Sequence, residues 1–387
     1  MVASRSALAL LHLHPRWHSR HRSPKPARKR PSRALDSARR KASPSHLLHR
    51  SSGKAEIMTK RKVIIDTDTG VDDALAIMLL AADPEVDILA VVSVFGNTTG
   101  ERAADNARYV LDICGRQDVP VYRGSDVPIK QELRMNPGIH GEDGFGNTGL
   151  RPEVSVATEP NGVDVVLDLV YQYPGEIDYL AIGPQTNLAR ALEREPELLQ
   201  KLRSTTIVGT LGPALYRDTE PWADRRFRVS RDPNVTFDID AAEAVAAHEG
   251  DVTWCGPYVT RQALVPEDFF IEIAQSTGYA PAELITKISA DYAGFYSRSY
   301  PQPGDERVMG INDSMAVAAL LRPDLITASV MRPLQTFEDP ATGDRYLAGV
   351  HPVKDETRPV QRVVVDMNFD GVLEMIGETL RRPLPWR

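Results

Sequence analysis

Residues 58–387 are predicted to form an α/β fold, one open and mostly parallel sheet flanked by helices. Three observations carry this. Apolar β-like runs alternate with helix-like runs along the whole stretch, 42% of the chain is hydrophobic, and a carboxylate-rich turn stands where the first strand-like run meets the first helix-like run. At 387 residues the chain is long enough for one large domain or two ordinary ones. Residues 1–57 stand apart: they carry 14 Lys/Arg against two acids, with six of the nine histidines, whereas the remainder carries 32 bases against 51 acids. A composition so poor in apolar residues cannot bury enough surface to fold alone. The expectation is a disordered basic extension, either an over-long start or a targeting segment, ahead of a catalytic domain over 58–387.

Taken in order, the strands are expected at 63–66, 88–93, 177–182, 205–208, 251–254 and 361–366, each a short run rich in β-branched or aromatic residues. The helices are expected at 72–82, 101–114, 163–173, 186–194, 241–248, 281–298 and 314–321. Asp240 followed by Glu243 reads as a capping box, and Pro281 suits a first helical turn, where its missing N–H costs nothing. Residues 124–162 and 209–233 read as long Gly/Pro-bearing loops. In open α/β sheets such loops gather beyond the carboxyl ends of the strands, where ligands sit.

The segment Asp66-Thr-Asp68-Thr-Gly70-Val-Asp72-Asp73 places four carboxylates within eight residues. At such spacing they repel unless protons or a cation neutralise them. Oxygen ligands with no Cys or His among them point to Ca²⁺ or Mg²⁺ rather than zinc. Asp66 closes the strand, Gly70 permits a tight turn, and Asp72 and Asp73 open a helix from which they point to different sides. Helix capping by either aspartate is the plainer alternative.

Exclusions are equally informative. The acidic body argues against nonspecific nucleic-acid binding, and no apolar run approaches the ~20 residues of a membrane helix. Cys114 and Cys255 alone give neither a disulfide framework nor a zinc spacing, which suits a reducing, cytoplasmic setting.

The run DTDTGVDDALAI resembles the N-terminal fingerprint of the inosine–uridine-preferring nucleoside hydrolases, DxDxGxDDAxA. Four further family-like stretches follow in order: Val94-Phe-Gly96-Asn97-Thr, Gly138-Ile-His140-Gly-Glu142-Asp-Gly144, Ala181-Ile182-Gly-Pro-Gln-Thr186-Asn187-Leu-Ala, and Asn312-Asp313-Ser-Met-Ala316-Val-Ala. The resemblance implies a single open mixed, mostly parallel sheet with a Rossmann-like core. It also implies Ca²⁺-dependent hydrolysis of the N-glycosidic bond of ribonucleosides by a homodimer or homotetramer. On it, Asp68 is the general base and touches the metal, Asp73 is the main ligand, and Asp66, Asp313 and the Ile182 carbonyl complete the metal set. Asp72 would bind ribose hydroxyls, and Asn97 the water and the ribose. Asn234 would bind the 5′-hydroxyl, with Asp232 where a ribose-binding glutamate is usual. Turn or capping roles compete for Asn97, Asp232 and Asn234.

One departure concerns the leaving base. Family members carry His-Asp where this chain has Asn312-Asp313, and an amide cannot act as an acid. Of the body's three histidines, His140 matches an active-site position, His248 suits a helix C-terminus, and His351 precedes Pro352 in a late loop. Tyr292, Phe295, Tyr296 and Tyr300 share one helix face. The family implies that Tyr292 and Tyr296 line the base pocket, while core packing explains such a stripe without a ligand. Arg217, Arg225, Arg226, Arg228 and Arg231 cluster beside Asp218, Glu220 and Asp224, as a solvated lid or a phosphate-binding segment would. Two other readings compete. A strand ending Asp-x-Asp-x-Thr would suggest a Mg²⁺-dependent haloacid-dehalogenase-like phosphatase, but here Thr69 is fourth and Gly70 fifth. A non-catalytic, Ca²⁺-dependent ribose-binding protein would not need to retain Asp68.

Overall fold

The structure, a computed structural model, describes residues 60–210, 232–260, 263–338, 343, 345–349 and 357–382. The basic extension, the Arg-rich segment 216–231 and His351 lie outside them. Eleven strands are described: β1 (Arg61–Thr67), β2 (Val86–Ser93), β3 (Val121–Arg123), β4 (Ile177–Ala181), β5 (Ser204–Val208), β6 (Val252–Cys255), β7 (Leu264–Pro266), β8 (Val308–Gly310), β9 (Ile326–Glu338), β10 (Arg345–Gly349) and β11 (Val360–Met367). Nine form one sheet in the order β10-β9-β11-β6-β5-β4-β1-β2-β3, and β7 pairs antiparallel with β8 apart from it. In the large sheet only β9 runs against its neighbours, so it is mixed but mostly parallel, as expected.

All six predicted strands are present. β3, β7 and β8 are three residues each, too short for a period to show. β9 is hidden by Pro333, which usually argues against an interior strand. Here Pro333 stands where the pairing of β9 passes from β11 to β10.

From β1 the chain steps one way to β2 and β3, then crosses back to β4 on the other side. The order therefore reverses between β1 and β4, and the crevice beyond their carboxyl ends is the ligand position for such a sheet. Strand alternation sorts the side chains. Val63 and Ile65 pack with the helix Val71–Ala82 in one apolar cluster, and Ile64 packs with Tyr179 and Ala181 in another on the opposite face.

The helix Val71–Ala82 is a surprise of degree. Its sequence reads as amphipathic, yet eleven of its twelve residues are buried, because the helices Asn312–Leu321, Gly100–Ile113, Ala280–Ile288 and Phe369–Arg381 pack around it. Two expectations need correction. The cap of the helix Ile239–Ala246 is Asp238, whose carboxylate accepts from the Ala241 N–H at 3.2 Å; Asp240 lies in the first turn. The helix expected over 281–298 is two, Ala280–Ile288 and Ala290–Ser299, meeting at Ser289. The Ser289 hydroxyl turns back to the Thr286 carbonyl, a local bond that competes with helix propagation.

Candidate active site

Three turns at neighbouring strand ends build the site. β1, β2 and β4 are in register, Asp66 lying opposite Val92 and Ala181, so residues 68–70, 94–97 and 182–185 emerge side by side. Thr67 shares the face of Val63 and Ile65, and its hydroxyl donates to Asp73 Oδ1 at 2.7 Å. Asp73 Oδ2 accepts from the Gly70 N–H (2.9 Å) and from Asn97 Nδ2 (2.8 Å). Asp73 thus closes the helix N-terminus, and three donors also hold its carboxylate in one orientation. Asn97 is the second clamp: its backbone N–H donates to Asp68 Oδ2 at 2.8 Å. Asp72 points elsewhere, accepting from Asn312 Nδ2 at 2.8 Å. The two consecutive aspartates do serve different partners.

Asp66, expected among the metal ligands, shares the face of Ile64. Its Oδ2 accepts from the Tyr179 hydroxyl (2.7 Å) and its Oδ1 from Asn187 Nδ2 (2.8 Å). Asn187 also donates to the Ser93 carbonyl and accepts from the Ser125 N–H, tying the ends of β1 and β2 to the loop after β3. The structure therefore brings Asp68, Asp72, Asp73 and Asp313 together and leaves Asp66 beneath them, bonded into the sheet.

Carboxylates of Asp72, Asp73 and Asp313 offer oxygens within 4.8 Å of one another. Burial, reinforced by neighbouring aspartates, pushes Asp68 and Asp313 well above the usual carboxylate range and Asp73 up to about 6. Burial raises Asp66 to about 7. Asp68 Oδ1 is buried without a hydrogen-bond partner. A crowd of repelling carboxylates with one oxygen unpartnered fits a hard divalent cation, for which all these donors are suited. Asp68, Asp73 and Asp313 could hold it. The Ile182 carbonyl, which already accepts from Asn234 Nδ2 at 2.8 Å, has a second lone pair to add.

Across from the aspartates stands a wall of rings. His140 ends the short helix Pro137–His140, and its Nδ1 accepts from the Val71 N–H at 3.2 Å while lying 4.0 Å from Asp72 Oδ1. Accepting at Nδ1 leaves the proton of the neutral ring on Nε2. Burial lowers the pKa of His140 and the Asp72 charge opposes this. Asp143, accepting from the N–H groups of Phe145, Asn147 and Gly149, sets the loop that carries it. The ring of Tyr292 lies 5.1 Å from His140 and 4.7 Å from Tyr296, and Asn312 Nδ2 reaches the Tyr296 hydroxyl at 2.7 Å. Tyr292 is also fully buried in the core, so packing accounts for this part of the stripe. Phe295 meets the Tyr296 ring edge-on and Tyr300 stacks on it. Asp232 caps the helix Pro233–Thr236 through the Asn234 N–H, and Asn234 donates to the Ile182 and Val208 carbonyls. His248 bonds its own helix at Ala244.

Gly96 shows how tightly Asp68 is seated: a Cβ there would fall 2.1 Å from Asp68 Oδ2. Gly96→Ala is expected to displace the carboxylate and lower kcat by about 10²-fold, the scale of a misplaced catalytic group. Steady-state kinetics beside a thermal melt would check it. Unchanged kcat in a folded variant would show that Asp68 tolerates the shift.

Sequence reading missed Thr67, Tyr179 and Asn187. Strand parity could have found the first, since Thr67 must face the same side as Ile65. Tyr179 and Asn187 needed the pairing of β4 beside β1.

The family model described as inosine-uridine preferring nucleoside hydrolase matches residues 63–374. Uridine nucleosidase 1 of Arabidopsis thaliana is 32% identical over 267 residues, covering 69% of this chain and 75% of that protein. The inosine-uridine preferring nucleoside hydrolase of Leishmania major is 31% identical over 325 residues, 83% of this chain and 98% of that one. Among solved structures, a plant nucleoside hydrolase superposes with a TM-score of 0.72 at 26% identity, covering 84% of this chain and 99% of its own.

Proposed function

The chain belongs to the inosine-uridine preferring nucleoside hydrolase family, hydrolases acting on N-glycosyl compounds, and on that premise we propose that it cleaves ribonucleosides to free base and ribose with Ca²⁺ as cofactor. The observation that supports this best is Asp68: a buried carboxylate at the switch point, one oxygen fixed by Asn97 and the other unpartnered. Such a group is placed to take a proton from water. Bound Ca²⁺ would orient that water, acidify it and engage ribose hydroxyls. Asp73, held by Thr67, Gly70 and Asn97, carries negative charge toward the cation and toward an oxocarbenium-like ribose. Asp72 accepts from ribose hydroxyls while Asn312 holds it in place. Asn234, both its N–H groups engaged by carbonyls, offers its amide oxygen to the 5′-hydroxyl. His140 and Tyr292 wall the base.

Family membership sets aside the phosphatase reading. No described helix is long and apolar enough to cross a membrane. Incubating the full-length protein and Ca²⁺ with a ribonucleoside panel, and following reducing sugar, is expected to show base release from at least one member. Binding without release would favour the silent ribose-binding alternative. Inertness toward every nucleoside, with p-nitrophenyl phosphate cleaved in Mg²⁺, would overturn the proposal.

A further inference from the structure

Asn187 stands in the first turn of the helix Thr186–Arg194, only 1% exposed, and bonds to Asp66 beneath the aspartates that could hold the cation. Building on the hydrolase reading above, we propose that Asn187 is a positioning residue for that reaction. Its carboxamide locks the turn after β1 to the turn after β2, and so fixes Asp68 against Asn97.

The orientation of the amide follows from its backbone partners. The Ser93 carbonyl can only accept and the Ser125 N–H can only donate, so Nδ2 faces the first at 3.0 Å and Oδ1 the second at 2.7 Å. The remaining N–H of Nδ2 meets Asp66 Oδ1 at 2.8 Å. Asp66 lies near the end of β1 and Ser93 closes β2, so one amide grips both strands where their turns leave the sheet. The Ser125 arm then reaches the catalytic turn. The Ser125 carbonyl accepts from the Phe95 N–H at 3.2 Å, and two residues on the Asn97 N–H donates to Asp68 Oδ2 at 2.8 Å. Room at this junction is tight: a Cβ on Gly124 would fall 2.3 Å from the Ser93 oxygen and 2.5 Å from Asn187 Oδ1.

Buried polar bonds cost most when one partner is removed, because the others are left unmatched. Loss of the Asn187 amide would free the Asn97 turn to shift against β1, and a displacement of about 1 Å at a reacting group lowers the rate about 10²-fold. Ribose binding is insulated from this path, since Asn312 holds Asp72 from the separate helix Asn312–Leu321. The expected signature is a fall in kcat at nearly constant KM.

The test compares Asn187→Asp, Asp66→Asn and the double variant with the unaltered full-length protein, in Ca²⁺, on the ribonucleoside it cleaves fastest. An ionised carboxylate at position 187 still accepts from Ser125 but donates to neither Asp66 nor Ser93, and it faces the Asp66 carboxylate. For Asn187→Asp, kcat is expected to fall between about 10- and 10²-fold, with KM within about threefold. In the double variant an amide at position 66 donates to the carboxylate at position 187 and remakes the link. Its kcat is expected to return to within about threefold of Asp66→Asn alone. Unchanged kcat in Asn187→Asp overturns the assignment. So does a joint worsening of kcat, KM and melting temperature that the double variant does not recover, which marks a role in folding only. If Asn187→Asp does not fold, Gly124→Ala displaces the same carboxamide, and unchanged kcat in that variant overturns the proposal equally. Inactivity of the unaltered protein on every ribonucleoside would overturn the hydrolase reading and this one together.

Discussion

Asp68→Asn is expected to lower kcat on every ribonucleoside cleaved by about 10² to 10⁴-fold, the range of a positioned general base, with KM changed only a few-fold. The amide is nearly isosteric and can turn its single oxygen to the Asn97 N–H, so the fold and the ribose groups survive. What it loses is the ability to take a proton. Steady-state kinetics on the variant, with calorimetry of nucleoside binding, would separate the two effects; turnover within tenfold of the unaltered protein would remove Asp68 from the base position. Asp66→Asn is the informative companion. An amide there can still meet Tyr179 and Asn187 on the far face of β1, so a much smaller loss is expected.

Chelation is expected to abolish turnover and to destabilise the protein most at alkaline pH. The sign follows from the aspartates. Asp66 at about 7 and Asp73 at about 6 lie above the ordinary 3.8 in the folded state, chiefly through burial. Between those values the folded chain binds more protons than the unfolded one. Unlike a salt-bridged carboxylate, such a group stabilises through its protonated form, fully present below pH ~4 and lost as pH rises through about 6 to 7. Without metal, the melting temperature should therefore fall from pH 5 to pH 8. A cation held by Asp68, Asp73 and Asp313 would take the place of protons on those carboxylates and restore stability by mass action, about 2.7 kcal/mol at a hundredfold excess over Kd. Melts in EDTA and in Ca²⁺ at both pH values would show the gap, several degrees at pH 8 and smaller at pH 5. No Ca²⁺-dependent shift at either pH would remove the cation from these aspartates. A Mg²⁺ shift exceeding that of Ca²⁺ would change the metal proposed.

The parallel sheet was legible because each of its long strands is an apolar run bounded by helix-like segments, and six of them could be placed. The gaps have local causes. Three-residue strands such as β3 show no period, Pro333 disguises β9, and the cap at Asp238 was mistaken for Asp240 because several acids stand near one helix start. The carboxylate cluster was legible as well, since four aspartates in eight residues demand neutralisation wherever they fold.

The division between sequence and structure runs through the opening turn itself. Composition and spacing alone determined that Asp66, Asp68, Asp72 and Asp73 meet at a strand-to-helix seam, while the family resemblance is what marks Asn312 as standing where an acid is usual. They could not determine which aspartates face one another. Tertiary structure decided that, by the period-two alternation of β1 and the placing of β4 beside it. Thr67 turns toward the helix to orient Asp73, and Asp66 turns away to Tyr179 and Asn187. Asp313, distant in sequence, reaches the cluster because the helix Asn312–Leu321 packs on the helix Val71–Ala82 and on β4 and β5, and Tyr296 is joined to it through Asn312. A residue's chemical type is written locally, but the direction it points depends on which strand its neighbour is.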